Sequence, residues 1–157
     1  MKATALKREH LWFLDTFVAI PVAHDDGTDG ISVLESSAAY GDSPPLHVHH
    51  REDEVFHVLE GELLIRVGDS ETRIGAGETA LAPKGVPHTY RVESPEGARC
   101  LVITTRGDFE RLVRAFSREA ETAELPPPSG PPTPELAEAL AAACLDRGIE
   151  LVGPPLS

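Results

Sequence analysis

The sequence predicts an all-β fold, a jelly-roll β-barrel followed by C-terminal helices. Short runs rich in β-branched and aromatic residues recur every 8 to 12 residues or so, separated by Gly, Pro and Asp turns, a pattern typical of β-sandwiches and barrels. Helical periodicity begins only after residue 107. The chain has 157 residues, 41% of them hydrophobic, which is enough for one domain with a core of its own.

The first predicted strands precede Gly61. Residues 11–20 (LWFLDTFVAI) are predicted to form one strand because aromatic and β-branched types dominate them. The run DDGTDG at residues 25–30 indicates a turn, and residues 31–40 follow as the second strand. Residues 54–60 (EVFHVLE) are apolar at both alternations, which predicts a strand buried on both faces.

The remaining strands follow the bend at Gly61. Residues 62–67 and 71–74 are predicted to pair across a hairpin turn at residues 68–70. Gly75 and Gly77 indicate the next turn. Three more segments complete the predicted strand set: residues 78–82, 86–92 and 98–104.

A first helix is predicted directly after the last strand. Asp108 is the expected N-cap because its carboxylate can accept a backbone hydrogen bond. Four apolar residues then repeat at intervals of three and four, which indicates one buried helix face: Phe109, Leu112, Val113 and Phe116. Residues 1–125 are therefore predicted to be the barrel with its following helix.

A proline-rich segment separates this unit from the C-terminal part. Residues 126–134 (PPPSGPPTP) are predicted to form a stiff linker. Thr133 and Pro134 are typical of a helix start, and Gly148 of its end. The second helix has an apolar stripe of its own: Leu136, Ala139, Leu140, Ala143 and Cys144. Residues 135–157 are expected to pack on the barrel or on a partner subunit.

Charge and composition exclude several classes of partner. The net charge of −12 argues against binding to nucleic acids and to anionic membranes. No stretch is long and apolar enough to span a membrane. Lys2 and Lys7 precede the first apolar run, but Asp15 interrupts that run and no small-residue cleavage site follows, so a cytoplasmic protein is expected. Cys100 and Cys144 lie in apolar segments and are expected to be buried, reduced thiols.

A candidate metal site organises the middle of the chain. His47 and His49 stand two residues apart, so in a strand they point to the same face. A turn can bring Glu54 back beside them, and His88 offers a fourth ligand downstream. Imidazoles combined with a carboxylate suit transition metals.

These residues fall into two motifs that resemble those of the cupins. The first, G-x5-H-x-H-x4-E-x6-G, runs from Gly41 to Gly61, and the second, G-x5-P-x-G-x2-H-x3-N, begins at Gly77. Only the final Asn departs, since Val92 stands there, and that Asn is not a metal ligand. The resemblance implies one divalent transition metal (Fe, Ni, Zn, Mn or Cu) held by His47, His49, Glu54 and His88.

Neighbouring residues have less certain roles. Residues that share a face with Glu54 or His88 are expected to line a substrate pocket, although core filling explains them equally well: Phe56, Tyr90, Ile65 and Val92. His50 is expected at the surface or beside the ligands, and His57 on the outer face of its strand. His10 and His24 are expected in loops.

The segment after the barrel resembles that of small bacterial cupins similar to quercetin 2,3-dioxygenase. This implies a metal-dependent dioxygenase that acts on an aromatic or enolisable substrate, with Glu54 as the catalytic base. Two alternatives stay open: a non-redox zinc cupin that cyclises or isomerises a polyketide, and a non-catalytic small-molecule binder. A homodimer is also expected, because Val55, His57 and Leu59 form an outward strip.

Overall fold

Strands dominate the computed structural model, which describes residues 8–157. The strands are β1 (Glu9–Phe13), β2 (Thr16–Val22), β3 (Ser32–Ala38), β4 (Leu46–His49), β5 (Glu54–Glu60), β6 (Glu62–Val67), β7 (Ser70–Gly75), β8 (Thr79–Ala82), β9 (His88–Val92), β10 (Ala98–Thr104), β11 (Ser117–Glu119) and β12 (Ile149–Gly153). The helices are α1 (Asp108–Phe116) and α2 (Pro134–Asp146). No described helix is long and apolar enough to cross a membrane.

Two antiparallel sheets enclose the core and confirm the predicted jelly roll. The larger sheet has the strand order β11-β1-β2-β3-β10-β5-β8, and the smaller has the order β12-β4-β9-β6-β7. Apolar side chains from the two inner faces meet between the sheets, among them Phe56 and Val58 from one and Leu63 from the other. Such burial supplies the main driving force for folding.

The predicted strand at residues 11–20 is instead a hairpin of β1 and β2. Phe13 and Thr16 are paired across its turn, and the Thr16 hydroxyl donates to the Phe13 carbonyl at 2.7 Å. The single-strand prediction is wrong because neither Gly nor Pro marks this turn. Leu14 makes the reversal with a φ of 52°, a conformation that non-glycine residues rarely adopt.

Strand β5 is buried on one face only, contrary to the prediction. Phe56 and Val58 point inward and are fully buried, whereas Val55, His57 and Leu59 point outward and are half-buried. The outer face is apolar without being covered by another layer of the described chain, so periodicity alone did not distinguish the two faces.

Helix α1 begins at Asp108, with Gly107 rather than Asp108 at the N-cap. Gly107 has a φ of 74°, and a Cβ added there would lie 2.3 Å from the Cβ of His24. Glycine is therefore required at this position, and it leaves the helix without a side-chain cap. Asp108 forms a two-pronged ion pair with Arg51 instead, at 2.9 and 3.1 Å.

The C-terminal tail contributes a strand that sequence reasoning missed. β12 pairs antiparallel with β4, so that Ile149 lies opposite His49 and Leu151 opposite His47. The predicted cap of α2 is present, since the Thr133 hydroxyl accepts from the Leu136 amide at 3.3 Å. His10 lies in β1 rather than in a loop.

Residues 126–133, predicted as a linker, lie against the barrel. The amide and the hydroxyl of Ser129 donate to one carboxylate oxygen of Asp15, at 3.0 and 2.6 Å. Just before this segment, the Trp12 indole donates to the Glu124 carbonyl at 2.8 Å. Both contacts join the C-terminal part to the β1–β2 hairpin. Residues 1–7 of the predicted first domain lie outside the described residues.

Both cysteines are buried and unpaired in the structure. Burial raises the pKa of the Cys100 thiol to about 12, with smaller effects of Glu54 and Asp42 in the same direction. Burial also raises the pKa of Cys144. Both side chains therefore act as small apolar groups in the core.

Candidate metal centre

The four residues of the candidate centre come from both sheets. β4 presents His47 and His49, and β9 presents His88, which pairs directly with His47. Glu54 begins β5 in the opposite sheet. The centre therefore lies between the sheets, at the end of the barrel where these strands begin or end.

The donor atoms converge on the Glu54 carboxylate. Its Oε2 lies 2.8 Å from His88 Nε2, 3.2 Å from His49 Nε2 and 3.9 Å from His47 Nε2. One donor atom from each of the four residues lies within 4.8 Å of all the others. Ligand atoms around a transition metal at bond lengths of about 2 Å have separations of this kind.

Each imidazole is oriented through its other ring nitrogen. His47 Nδ1 lies 2.8 Å from the Pro45 carbonyl, and His88 Nδ1 lies 3.0 Å from the Val86 carbonyl. These acceptors select the tautomer with hydrogen on Nδ1, which directs the Nε2 lone pair to the centre. Outer partners of this type are usual for metal-bound histidines.

His49 is held in the same way, by a carboxylate that sequence reasoning did not single out. Its Nδ1 lies 2.8 Å from Glu52 Oε1. Its Nε2 is buried and has no hydrogen-bond partner in the described structure. Lone pairs from Nε2 atoms and from Glu54 thus face one another at short range, an arrangement that a cation between them would stabilise.

The electrostatics of the centre also favour a cation. Burial lowers the pKa of His49, but the charges and hydrogen bonds of Glu54 and Glu52 outweigh burial and raise it to about 10. Burial raises the pKa of Glu54, but the charge of His49 and the three imidazole hydrogen bonds outweigh it and hold that pKa well below its usual range. The four residues therefore fit a divalent transition metal, three neutral imidazoles with one carboxylate.

The centre opens into a cavity of about 510 Å³. Phe56 and Tyr90 line it, and the Phe56 ring lies between those of His88 and Tyr90, at centroid distances of 6.1 and 5.7 Å. Asp15 and Asp42 are the other carboxylates along its wall besides Glu54. In the described part of the chain, no Lys or Arg lines this cavity.

Two of the residues proposed for the pocket lie elsewhere. Ile65 and Val92 are 1% and 0% exposed and belong to the core between the sheets, and they do not line the cavity. They do share the inward face of their strands with Tyr90, but Tyr90 packs against the cluster that they help to form. Sharing a face did not reveal how deep in the barrel each side chain lies.

Much of the cavity wall comes from the C-terminal third of the chain, which sequence reasoning had not connected with the site. Phe109 contributes from α1, and its ring lies 6.3 Å from that of His49. Leu136 and Leu140 contribute from α2, and Ile149 and Leu151 from β12. The apolar helix stripes were a signal for this wall, although they did not indicate which surface they would cover.

The other histidines lie outside the centre. His50 is exposed and contacts Glu150 at 2.8 Å. His57 lies on the outer face of β5, where its Nδ1 is 2.8 Å from the Thr79 hydroxyl. His24 Nδ1 lies 3.3 Å from Glu110 Oε2. These positions agree with the predicted surface location of His50 and the predicted outward direction of His57.

The fold and the centre together define a class: a two-sheet jelly-roll barrel with a histidine–carboxylate cluster between its sheets. Comparison with known families agrees, because residues 35–104 match the family model described as the cupin domain. The chain is a small cupin protein, which confirms the family that the two motifs indicated.

Similarity to characterised proteins varies in extent. Quercetin 2,3-dioxygenase of Bacillus subtilis (strain 168) is 32% identical over 111 residues, which cover 70% of this chain. The chain spans 33% of that relative's length. An oxalate oxidase structure is 25% identical with a TM-score of 0.50, covering 59% of this chain and 51% of the other.

A further solved structure supports the fold alone. KdgF from Halomonas sp. superposes with a TM-score of 0.53 at 18% identity, covering 61% of this chain and 84% of the other.

Proposed function

We propose that this chain is a metal-dependent enzyme that uses dioxygen to act on a small, neutral aromatic or enolisable molecule. The observation that carries the proposal is the cavity: the four candidate ligands open directly into an apolar and aromatic space. Similarity to a quercetin 2,3-dioxygenase over most of the chain supports the same class of substrate.

The lining of the cavity favours this substrate class over small acids and phosphates. Binding an oxalate dianion or a sugar phosphate calls for Arg or Lys, and the described lining offers neither. It offers the carboxylates of Asp15 and Asp42 instead, which repel anions in a space that is shielded from water. A neutral flat molecule is held by apolar contact alone.

The residues around the centre have distinct tasks in this proposal. Phe56 and Tyr90 contact the flat body of the substrate and exclude water from it. Glu54 accepts the proton of the substrate hydroxyl at its Oε2, since its lowered pKa keeps it ionised. The bound metal ion would supply a Lewis acid and, if redox-active, an electron-transfer centre.

The first test is elemental analysis of protein purified without chelators or added metal, combined with oxygen-electrode measurements on quercetin. We expect iron, nickel, copper or manganese at about one ion per chain, with oxygen uptake that matches loss of quercetin. Zinc alone, with no oxygen uptake, would favour the non-redox cyclase or isomerase, for which the same donors would polarise a carbonyl. Stoichiometric ligand binding without metal would favour a non-catalytic binder.

We further propose that the protein is a homodimer that associates through the outer face of β5. Val55, His57 and Leu59 point outward there and are half-buried, and Leu81, which is 53% exposed, lies beside Val55 on β8. We expect light scattering at micromolar concentration to give about twice the chain mass of 16.9 kDa, and Leu81→Glu to weaken the association. A wild-type mass near that of one chain would contradict the proposal.

A further inference from the structure

Glu52 connects the candidate metal centre to helix α1. Its side chain is buried, with 1% of the residue exposed. Oε1 accepts from His49 Nδ1 at 2.8 Å and from the Phe109 amide at 2.9 Å, and Oε2 accepts from the Asp108 amide at 3.0 Å. One carboxylate thus binds a candidate metal ligand and the first two residues of a helix.

Helix α1 depends on this carboxylate because it has no cap of its own. The amides in the first turn of a helix have no intrahelical acceptor, and Gly107 at the N-cap provides no side chain to accept from them. The contact of Gly107 with His24 also leaves no room for a capping residue there. Glu52 therefore replaces the missing cap, and its negative charge suits the positive end of the helix dipole.

His49 depends on the same carboxylate for the state of its ring. A neutral imidazole can carry its hydrogen on either nitrogen, and only the form with hydrogen on Nδ1 leaves Nε2 free to bind a metal. An ionised carboxylate can only accept a hydrogen bond, so it selects this form. The ring is also fixed in direction, because Glu52 is itself held by two backbone amides of α1.

We propose that Glu52 is a positioning residue that couples the start of α1 to the metal centre through His49. This inference rests on the proposed metal binding. The helix holds Glu52, Glu52 holds the Nδ1 hydrogen of His49, and His49 Nε2 is thereby directed toward Glu54. Phe109 lies on the same helix turn and lines the cavity, so the wall and the ligand share one support.

The discriminating variant is Glu52→Gln, which keeps the size of the side chain. A glutamine has one carbonyl oxygen, whereas the native carboxylate uses two oxygens for three donors. If the oxygen stays near His49, the Asp108 amide faces an NH₂ group. If the amide flips, its NH₂ donates to His49 Nδ1 and places the imidazole hydrogen on Nε2, which removes the lone pair from the centre.

Two control variants separate this role from charge and from helix docking. Asp53→Asn removes a neighbouring carboxylate that contacts the Lys84 amide rather than a candidate ligand. Asp108→Asn weakens the ion pair between α1 and Arg51 while leaving the Glu52 contacts in place.

The measurement is the affinity of the folded proteins for Co²⁺, by competition with a chelator. We expect Glu52→Gln to lose roughly 10- to 100-fold in affinity with a changed Co²⁺ absorption spectrum, and both controls to stay within about threefold of wild type. In the zinc-loaded wild type, NMR should show a slowly exchanging imidazole N–H proton close in space to the Phe109 amide proton.

The outcomes separate this inference from the proposed metal centre. Wild type and Glu52→Gln with equal affinity and equal spectra would overturn the role of Glu52 and leave the centre in place. Wild-type protein that binds neither Co²⁺ nor Zn²⁺ would overturn the centre and the inference together. If Glu52→Gln does not fold, the wild-type NMR experiment decides, because a rapidly exchanging His49 Nδ1 proton would contradict the proposal.

Discussion

Glu54→Gln is expected to keep its metal ion while turnover falls by roughly 10²- to 10⁴-fold, the usual effect of losing a general base. Three imidazoles alone can hold a divalent ion, and glutamine keeps the size of the side chain. The change removes the oxygen on which all three Nε2 atoms converge. The measurements are metal content per chain and kcat with quercetin as the probe.

Asp42→Asn is the matched control for this variant. Asp42 lines the same cavity and carries the same charge, but it is outside the cluster of candidate ligands. We expect this control to change kcat far less than Glu54→Gln does. Undiminished turnover in metal-loaded Glu54→Gln would exclude Glu54 as the base and leave it only a ligand.

His47→Ala is expected to release the metal from a barrel that still folds. His47 is the least buried of the three histidines, with 12% of its side chain exposed, and its Nδ1 contacts only the Pro45 carbonyl. We expect the loss in metal affinity to exceed the roughly 10- to 100-fold typical of losing an outer partner. Elemental analysis and thermal unfolding of the same preparation measure both results.

His49→Ala and His88→Ala are expected to release the metal as well, with a larger loss of stability. Both side chains are buried, and removing His49 leaves Glu52 and Glu54 without the imidazole between them, which is costly for buried charges. His50→Ala is the control, because His50 adjoins His49 in sequence but is exposed and contacts Glu150. Full metal occupancy in all three ligand variants would exclude the site.

The candidate ligands were predictable because short-range rules place them. Residues two apart on a strand share a face, so His47 and His49 were expected to converge. The barrel was predictable for a similar reason: turn residues and alternating apolar positions recur locally along the chain.

The features that the sequence did not reveal depend on contacts between distant segments. Glu52 looks like an ordinary polar turn residue until α1 brings the Asp108 and Phe109 amides to it, 56 and 57 residues along the chain. The hairpin at Leu14 lacks the usual turn residues. For Ile65, alternation gave the correct face of the strand but not its depth in the barrel.

The pairing of β12 with β4 has a consequence for how the protein is made. β4 touches β9 only through the His47–His88 pair, so its main partner is a strand about 100 residues later, the separation of the His50–Glu150 contact. Closing so long a loop is entropically costly and slow. During synthesis the first two histidines therefore wait, solvent-exposed, until residues 149–153 have been translated, and assembly of the centre belongs among the last events of folding.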